Sequence, residues 1–380
     1  MKEFIKTLSE MNNLRYSKTM QELFMKKIPC GFFVGLDSEQ FKVNNALVLK
    51  QNGLNLQHVI VLDDPNRAAI KCDGVPVITL KEFESLPEKP QWVLYINTNS
   101  EATLCEFFYR FNVKALQLGD SLGMERYCDF IYQHLGEIAE VYQLFKDEES
   151  RLTYLGMLKR RVSNQICYYR FAVEPQYWLA PFTVAEGDIA IDGGAYDGNT
   201  AIDFLKQGAT VYSFEMDHKN YQKCLQLAEK YHFTAENLGL SSRESTASYV
   251  SQGSGSYMTS MGGGEVAKFI DLDTYVSRHD VPRIDYIKLD IEGAELDCLK
   301  GAAKSIIRWK PKMAVCAYHK PEDIWTLARY IKSLRSDYEF AFRHYSIGCG
   351  LFSETFINLR NRFNMNPRVP SDWEMVLYCK

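Results

Sequence analysis

The sequence predicts an α/β protein of two domains, and three observations carry that expectation. The chain has 380 residues, enough for two domains of ordinary size. Short apolar runs alternate with helical patterns along most of it, which implies parallel sheet with helices on its faces. One run opens into a glycine-rich turn, Ala190-Ile191-Asp192-Gly193-Gly194-Ala195-Tyr196-Asp197-Gly198-Asn199-Thr200, which reads as buried strand, turn and helix start. Such a turn aims backbone N–H groups and a helix N-terminus at a ligand.

Composition narrows the function classes. An apolar fraction of 46% and a charged fraction of 24% belong to a globular chain that buries sizeable cores. A net charge of -4 argues against a general nucleic-acid binder, which shows a basic stripe. The one dense basic run, Lys159-Arg160-Arg161, is expected on a solvated helix face. The ten cysteines stand singly with no C-x-x-C pair, so zinc and thioredoxin-like readings fail and buried thiols in a reducing compartment are expected. Met1–Glu10 has no continuous apolar core, so it does not read as a signal peptide. No apolar run approaches the ~20 residues that span a bilayer. The expected location is the cytoplasm.

Residues 1–27 read as one amphipathic helix with Phe4, Ile5, Leu8, Met11, Leu23 and Phe24 on its apolar side. Strands are expected at 31–36, 58–63, 75–79, 92–96 and 113–118. Helices are expected at 44–52 and 80–86 and around Phe107, Phe108 and Phe111. Together these make residues 1–120 a Rossmann-like α/β domain. Its first turn, Gly31-Phe32-Phe33-Val34-Gly35-Leu36-Asp37, lacks the G-x-G-x-x-G spacing, and Asp37 disfavours a phosphate. A structural or partner-binding role is therefore preferred over a retained nucleotide site. Residues 121–176 read as a helical connector with Phe130, Ile131, Leu135, Ile138, Val141, Tyr142 and Phe145 on one stripe. Tyr177-Trp178 and Pro181-Phe182 then either cover a ligand or pack between domains.

Residues 177–380 carry the chemistry. Glycines at 193, 194 and 198 let the backbone approach a ligand, with Ala195, Tyr196 and Thr200 beside them. The carboxylate of Asp192 stands where a dinucleotide site holds its pyrophosphate. A fixed charge there repels phosphate by ~1 kcal/mol in water-like surroundings and ~4 kcal/mol at an effective dielectric near 20. The same carboxylate attracts an ammonium or sulfonium, and S-adenosylmethionine (SAM) has both and no phosphate. A helix follows at 201–207 with Ile202 and Leu205 inward, then the strand 210–214 ending at Glu215. An acid at that strand tip suits both hydroxyls of a ribose, in SAM and NAD sites alike. A third strand at 233–237 puts Asn237 or Leu238 near an adenine, with a turn asparagine as the plain alternative. The strand 247–250 leads into a long glycine- and serine-rich loop through Gly264, read as a lid or as disorder.

The strand 284–289 ends at Asp290, with Glu292 close behind. The helix after it has Leu296, Leu299, Ala303, Ile306 and Ile307 at helical spacing. Asp290 can take or orient a hydroxyl proton, or share a divalent cation with Glu292, whose alternative is helix N-terminal charge. The strand 313–317 ends in Tyr318-His319-Lys320-Pro321, which makes His319 a candidate base and puts Pro321 at the first helical position. Strands at 340–345 and 375–378 close the chain around an irregular segment, 347–373.

At these residues the second half resembles the FkbM family of SAM-dependent methyltransferases. The carrying pieces are the glycine turn from Ile191, Phe214-Glu215, Ile270-Asp271-Leu272-Asp273, and Ile284 through Glu295. Tyr318-His319-Lys320-Pro321-Glu322-Asp323, Arg343-His344-Tyr345 and Trp373-Glu374-Met375-Val376-Leu377-Tyr378 complete it. The resemblance implies a class I, Rossmann-like, seven-stranded fold and methyl transfer to an oxygen of a sugar, glycan or secondary metabolite. It departs from the family at Met216, where proline often follows the ribose-binding acid, and in the enlarged segment 347–373. The cofactor site implied is Asp192, Gly193, Gly194, Ala195, Tyr196, Gly198, Thr200, Glu215, Met216, Asn237, Leu238 and Asp290. The catalytic candidates are Asp290, His319 and Glu292, with no metal assigned. The chain has no Asn/Asp-Pro-Pro-aromatic run, which favours oxygen over a base nitrogen. The rival readings are a catalytically silent SAM-fold module that assembles through its N-terminal domain, and an NAD-dependent oxidoreductase. Expected partners are a hydroxyl-bearing acceptor and a second copy met through the N-terminal or helical segment, with no nucleic acid.

Overall fold

The computed structural model describes residues 4, 7, 10–34, 40–61, 70, 72–96, 107–108, 110–119, 121–251, 257–258, 265–345 and 374–380. It divides into two compact units. One contains Met1–Leu135 and Thr153–Arg170; the other contains Gly136–Leu152, Phe171–Tyr345 and Asp372–Lys380.

The first unit holds β1 (Cys30–Phe33), β2 (Leu56–Val61), β3 (Val77–Thr79), β4 (Trp92–Tyr95) and β5 (Lys114–Gln117). They form a wholly parallel sheet in the order β3-β2-β1-β4-β5. Successive side chains enter opposite cores. Phe32, Val59, Val61, Leu94 and Leu116 pack on one face; Phe33, Ile60, Val93, Tyr95 and Ala115 pack on the other. Burial on both faces explains why these strands read as continuous apolar runs. The turn that follows β1 lies largely outside the described residues.

The helix expected over residues 1–27 is broken. A 3-10 turn, Asn12–Leu14, precedes α1 (Tyr16–Met25), and Arg15 between them is extended. Two asparagines compete with helical hydrogen bonding there, and Arg15 turns to pair with Glu125 at 2.7 Å. Two further helices, α2 (Gln40–Gln51) and α3 (Leu80–Ser85), flank the sheet strands. The segment 121–172 resolves into α4 (Ser121–Gln133), α5 (Leu135–Leu144) and α6 (Glu148–Ser163). The run of helix stops at Asn164, whose left-handed φ of 56° closes the last turn. The basic run on α6 is corrected: Arg160 and Arg161 are buried. Arg160 donates to Gln117 at 2.6 Å and stacks on Tyr169, and Arg161 stacks on Tyr127.

The second unit holds β6 (Ile189–Gly193), α7 (Asn199–Lys206), β7 (Thr210–Phe214), α8 (His218–Tyr231) and β8 (Thr234–Glu236). A small sheet follows from β9 (Gly239–Leu240), β10 (Ser245–Val250), β11 (Tyr257–Met258) and β12 (Glu265–Ile270). Then come α9 (Leu272–Arg278), β13 (Tyr286–Leu289), α10 (Glu295–Gly301), α11 (Ala303–Trp309), β14 (Lys312–Cys316), α12 (Asp323–Leu334), β15 (Phe340–His344) and β16 (Met375–Cys379). The main sheet runs β15-β16-β14-β13-β6-β7-β8, and β16 alone is antiparallel to its neighbours. The chain leaves β6 toward β7 and β8, then returns to the far side of β6 as β13. The strand order therefore reverses between β6 and β13, and a crevice forms beyond their C-terminal ends.

Several helix faces differ from the periodicity. On α7 the buried residues are Ala201 and Phe204, with Ile202 and Leu205 only half-buried. The helix after Asp290 breaks at Ala302 into α10 and α11, which rotates the second half and leaves Ile307 49% exposed. Asp273 accepts from the N–H groups of Lys304 and Ser305 at 2.9 and 2.8 Å and so caps α11 from another helix. Pro321 lies ahead of α12, not at its first position. The glycine- and serine-rich loop after β10 and the segment 347–373 fall mostly outside the described residues. No helix among the described residues is long and apolar enough to cross a membrane. The described cysteines are unpaired and, except for Cys167, buried.

Candidate functional site

A cleft of about 690 Å³ opens at the strand-order reversal of the second unit. Strand tips build its walls. Gly194, Ala195 and Tyr196 follow β6, and Glu215 and Met216 follow β7. Asp290 and Glu292 follow β13, and Tyr318 and His319 follow β14. Glu374 stands just before β16, which starts at the same sheet edge because it runs backward.

The glycine turn is locked from beneath. Gly194 has a φ of +75°, and a Cβ there would lie 1.8 Å from the carbonyl oxygen of Asp290. Strand register sets Asp192 beside Lys288 on the neighbouring strand. Both are buried, and Lys288 Nζ lies 3.1 Å from Asp192 Oδ1. The same ammonium donates to the carbonyls of Gly193 at 3.1 Å and Gly194 at 2.7 Å. Burial works against the Lys288 charge, yet Asp192 and Asp290 outweigh it and hold its pKa above the usual lysine value.

This geometry corrects the role read for Asp192. Its carboxylate lies behind the turn, answered by Lys288, and is absent from the cleft wall. The turn's N–H groups are also engaged internally. Gly194 and Ala195 donate to the carbonyl of Phe214 at 2.9 and 3.0 Å, and Gly198 donates to Ala195. Tyr196 donates to Glu215 Oε2 at 2.8 Å, and Asn199 donates to Asp197. A phosphate would find none of these five donors free.

Glu215 is buried with one end toward the cleft. Its other oxygen accepts from the Asp217 N–H at 2.8 Å. Each carboxylate oxygen thus keeps one lone pair for a ligand. Burial pushes the Glu215 pKa up to about 7, against the pull of those two N–H groups. Asn237 does not reach the wall: its amide donates to the carbonyls of Glu215 and Met216, and Leu238 is likewise absent, while Gly239 and Leu240 take that place. Gly193 and Gly198 sit behind the surface, and Thr200 lines it.

Asp290 is clamped by two phenols. Tyr177 donates to Oδ2 at 3.1 Å and Tyr318 to Oδ1 at 2.9 Å. Burial pushes its pKa up, but Lys288, His319 and Tyr318 more than offset it, and the carboxyl stays below the usual aspartate value. His319 lies against Asp290, Glu292 and Glu295. Burial disfavours its charge, but these carboxylates prevail and raise its pKa to about 9. Burial raises Glu292 and Glu374, the latter accepting from Gln176 at 2.7 Å. The residues that sequence reasoning missed are Lys288, Tyr318, Glu295 and Glu374. All four stand inside the pieces that carry the family resemblance, and Lys288 carried a further signal, as a charge inside an otherwise apolar strand.

Residues 192–344 match the family model of the methyltransferase FkbM domain. The chain carries an FkbM methyltransferase domain. The match begins at Asp192 and ends at His344, so it takes in the glycine turn, Glu215, Asp290, Glu292 and His319. Across the whole chain the fold is similar to the FkbM methyltransferase of Methylobacillus flagellatus KT, with a TM-score of 0.62 at 18% identity, covering 100% of this chain and 98% of that one. Two other solved structures match more loosely. Fibrillarin of Aeropyrum pernix, with SAM bound, has a TM-score of 0.30 at 9% identity over 55% of this chain and 70% of its own. The tRNA (uracil-54, C5)-methyltransferase of Pyrococcus abyssi has 0.27 at 17% over 52% and 34%. At those scores neither bears on this chain. No curated protein matches it. The FkbM domain supports methyl transfer as the activity of the second unit.

Proposed function

We propose that the chain transfers the methyl group of SAM to a hydroxyl oxygen of a sugar, glycan or secondary-metabolite acceptor. The observation that carries the SAM reading is the make-up of the cleft. Five N–H groups of its turn, those of Gly194, Ala195, Tyr196, Gly198 and Asn199, are already engaged within the protein, and its wall holds Asp197, Glu215, Asp290, Glu292 and Glu374 against Lys288 and His319. An acidic wall attracts the ammonium and sulfonium of SAM and repels a pyrophosphate. Glu215, with a spare lone pair on each oxygen, suits two ribose hydroxyls. The cation preference thus rests on the wall as a whole and not on Asp192.

SAM, when bound, would supply an electrophilic methyl carbon on a sulfonium. The chain's own contribution is alignment and exclusion of water. Asp290, ionised and clamped, orients the acceptor hydroxyl; His319 adjoins it. Preference for oxygen rests on the missing nitrogen-methylating motif.

The reading includes a class I methyltransferase domain at 177–380, a smaller Rossmann-like domain at 1–120, a helical connector at 121–176, a cytoplasmic location and self-association through the first two segments. Calorimetry with SAM, S-adenosylhomocysteine and NAD tests the cofactor. A screen of methyl glycosides and simple alcohols, read by mass increase of the acceptor, tests the reaction. NAD binding without S-adenosylhomocysteine binding would sink the reading, and SAM binding with no turnover on any hydroxyl would favour a silent module.

A further inference from the structure

If the chain methylates a hydroxyl, as proposed above, the acceptor's proton must pass to a group beside the cleft. His319 stands at the tip of β14 with 8% of its side chain exposed. Its Nδ1 lies 2.8 Å from Oε1 of Glu295, which is wholly buried at the start of α10 and fixed by the Ile291 N–H at 2.9 Å. The contact is an ion pair by distance, and neither ring nitrogen makes an aligned hydrogen bond. Such contacts often tighten only when a reacting complex forms. Nε2 makes no hydrogen bond and lies on the cleft wall within ion-pair reach of two carboxylates, 3.5 Å from Asp290 Oδ1 and 3.6 Å from Glu292 Oε2. Asp290 is the poorer base, since both its oxygens already accept phenol hydrogen bonds.

We infer that Glu295 is a positioning residue that makes His319 the base of this site. It holds the imidazole proton on Nδ1 and leaves the Nε2 lone pair toward the acceptor hydroxyl. As the acceptor oxygen bonds to the methyl carbon and the C–S bond breaks toward sulfur, the O–H proton moves to Nε2. One positive charge passes from sulfonium to imidazolium, and the imidazolium later gives its proton to water. The groups facing His319 are Glu295 on α10, Asp290 and Glu292 after β13, Asp323 on α12 and Glu374 before β16, with Lys320 next in the chain. The carboxylates dominate and keep the ring charged until the pH nears 9. The rate should therefore rise with pH toward that value.

The test uses the full chain and E295Q, whose amide oxygen can still accept the Ile291 N–H. Diethyl pyrocarbonate acylates neutral imidazole, and mass mapping reads His319 alone as pH is varied. S-adenosylhomocysteine should block the modification. In E295Q the midpoint should fall by about one pH unit or more, and the pH–rate midpoint with whichever glycoside turns over in the screen should fall with it. A midpoint unmoved in E295Q, or a rate profile indifferent to the substitution, overturns the inference. If E295Q fails to bind S-adenosylhomocysteine, wild type decides: a His319 midpoint at or below the ordinary 6.5, or reactivity that S-adenosylhomocysteine does not block, overturns it. Turnover on no acceptor counts against methyl transfer, and against the base role with it. The acylation midpoint still shows separately whether Glu295 and His319 are coupled.

Discussion

Two residues decide whether the cleft forms. Gly194→Ala places a methyl group 1.8 Å from the Asp290 carbonyl at a left-handed φ, so the turn must move. The expected outcome is loss of S-adenosylhomocysteine binding by calorimetry, with destabilisation on the order of 3 kcal/mol. Lys288→Met leaves the Asp192 carboxylate buried and unanswered and frees two carbonyls. Removing one partner of a buried pair costs about 3–5 kcal/mol, readable by urea denaturation. That one substitution acts on charge and turn geometry together, because a single ammonium serves all three oxygens.

At the level of elements, aspartate caps close helix starts both locally and from another helix. Asp217 accepts from the N–H groups of Lys219 and Asn220 at the start of α8, at 2.8 and 3.2 Å. Asp217→Ala should cost about 1 kcal/mol of stability by thermal melt, while its backbone N–H still donates to Glu215. Asp273 does the same for α11 from a distance, so its value could not be read from the helix it caps. The α6 basic run teaches the converse. Three consecutive basic residues on one helix look solvated, yet Arg160 and Arg161 lie on aromatic rings. Their stems bury readily, and planar guanidinium groups stack where an ammonium would not.

Across the whole molecule, buried titratable groups make stability depend on pH. Glu215 and Asp323 are raised by burial to about 7. An acid raised on folding favours the folded state fully below its unfolded pKa, and that contribution is lost as pH climbs through 7. His319, raised to about 9, adds stability that is complete below 6.5 and lost as pH rises through 9. Asp290, held low, has the opposite sign and stabilises above its unfolded value. Melting temperature should therefore fall between neutral pH and pH 9, and His319→Asn should flatten that decline. A ligand at one hundred times its Kd should add about 2.7 kcal/mol, so S-adenosylhomocysteine should raise the melting temperature and NAD should not.

What the sequence determined by itself was local. Apolar runs located the strands of both large sheets, most to within two residues at either end, because side-chain alternation and turn chemistry act over neighbours, although β1 ends at Phe33, three residues short of the expected 31–36. Strand tips at Glu215, Asp290 and His319 followed from the same pattern, since an acid or histidine just past an apolar run marks the sheet edge. Tertiary structure alone decided which tips meet and what their charges do. Strand register set Lys288 beside Asp192 and turned a supposed ligand contact into an internal ion pair. Helix packing brought Glu295 to His319, and a reversed last strand brought Glu374 to the same edge. Those pairings join residues far apart in the chain, and electrostatic energy depends on distance in space, which no local pattern records.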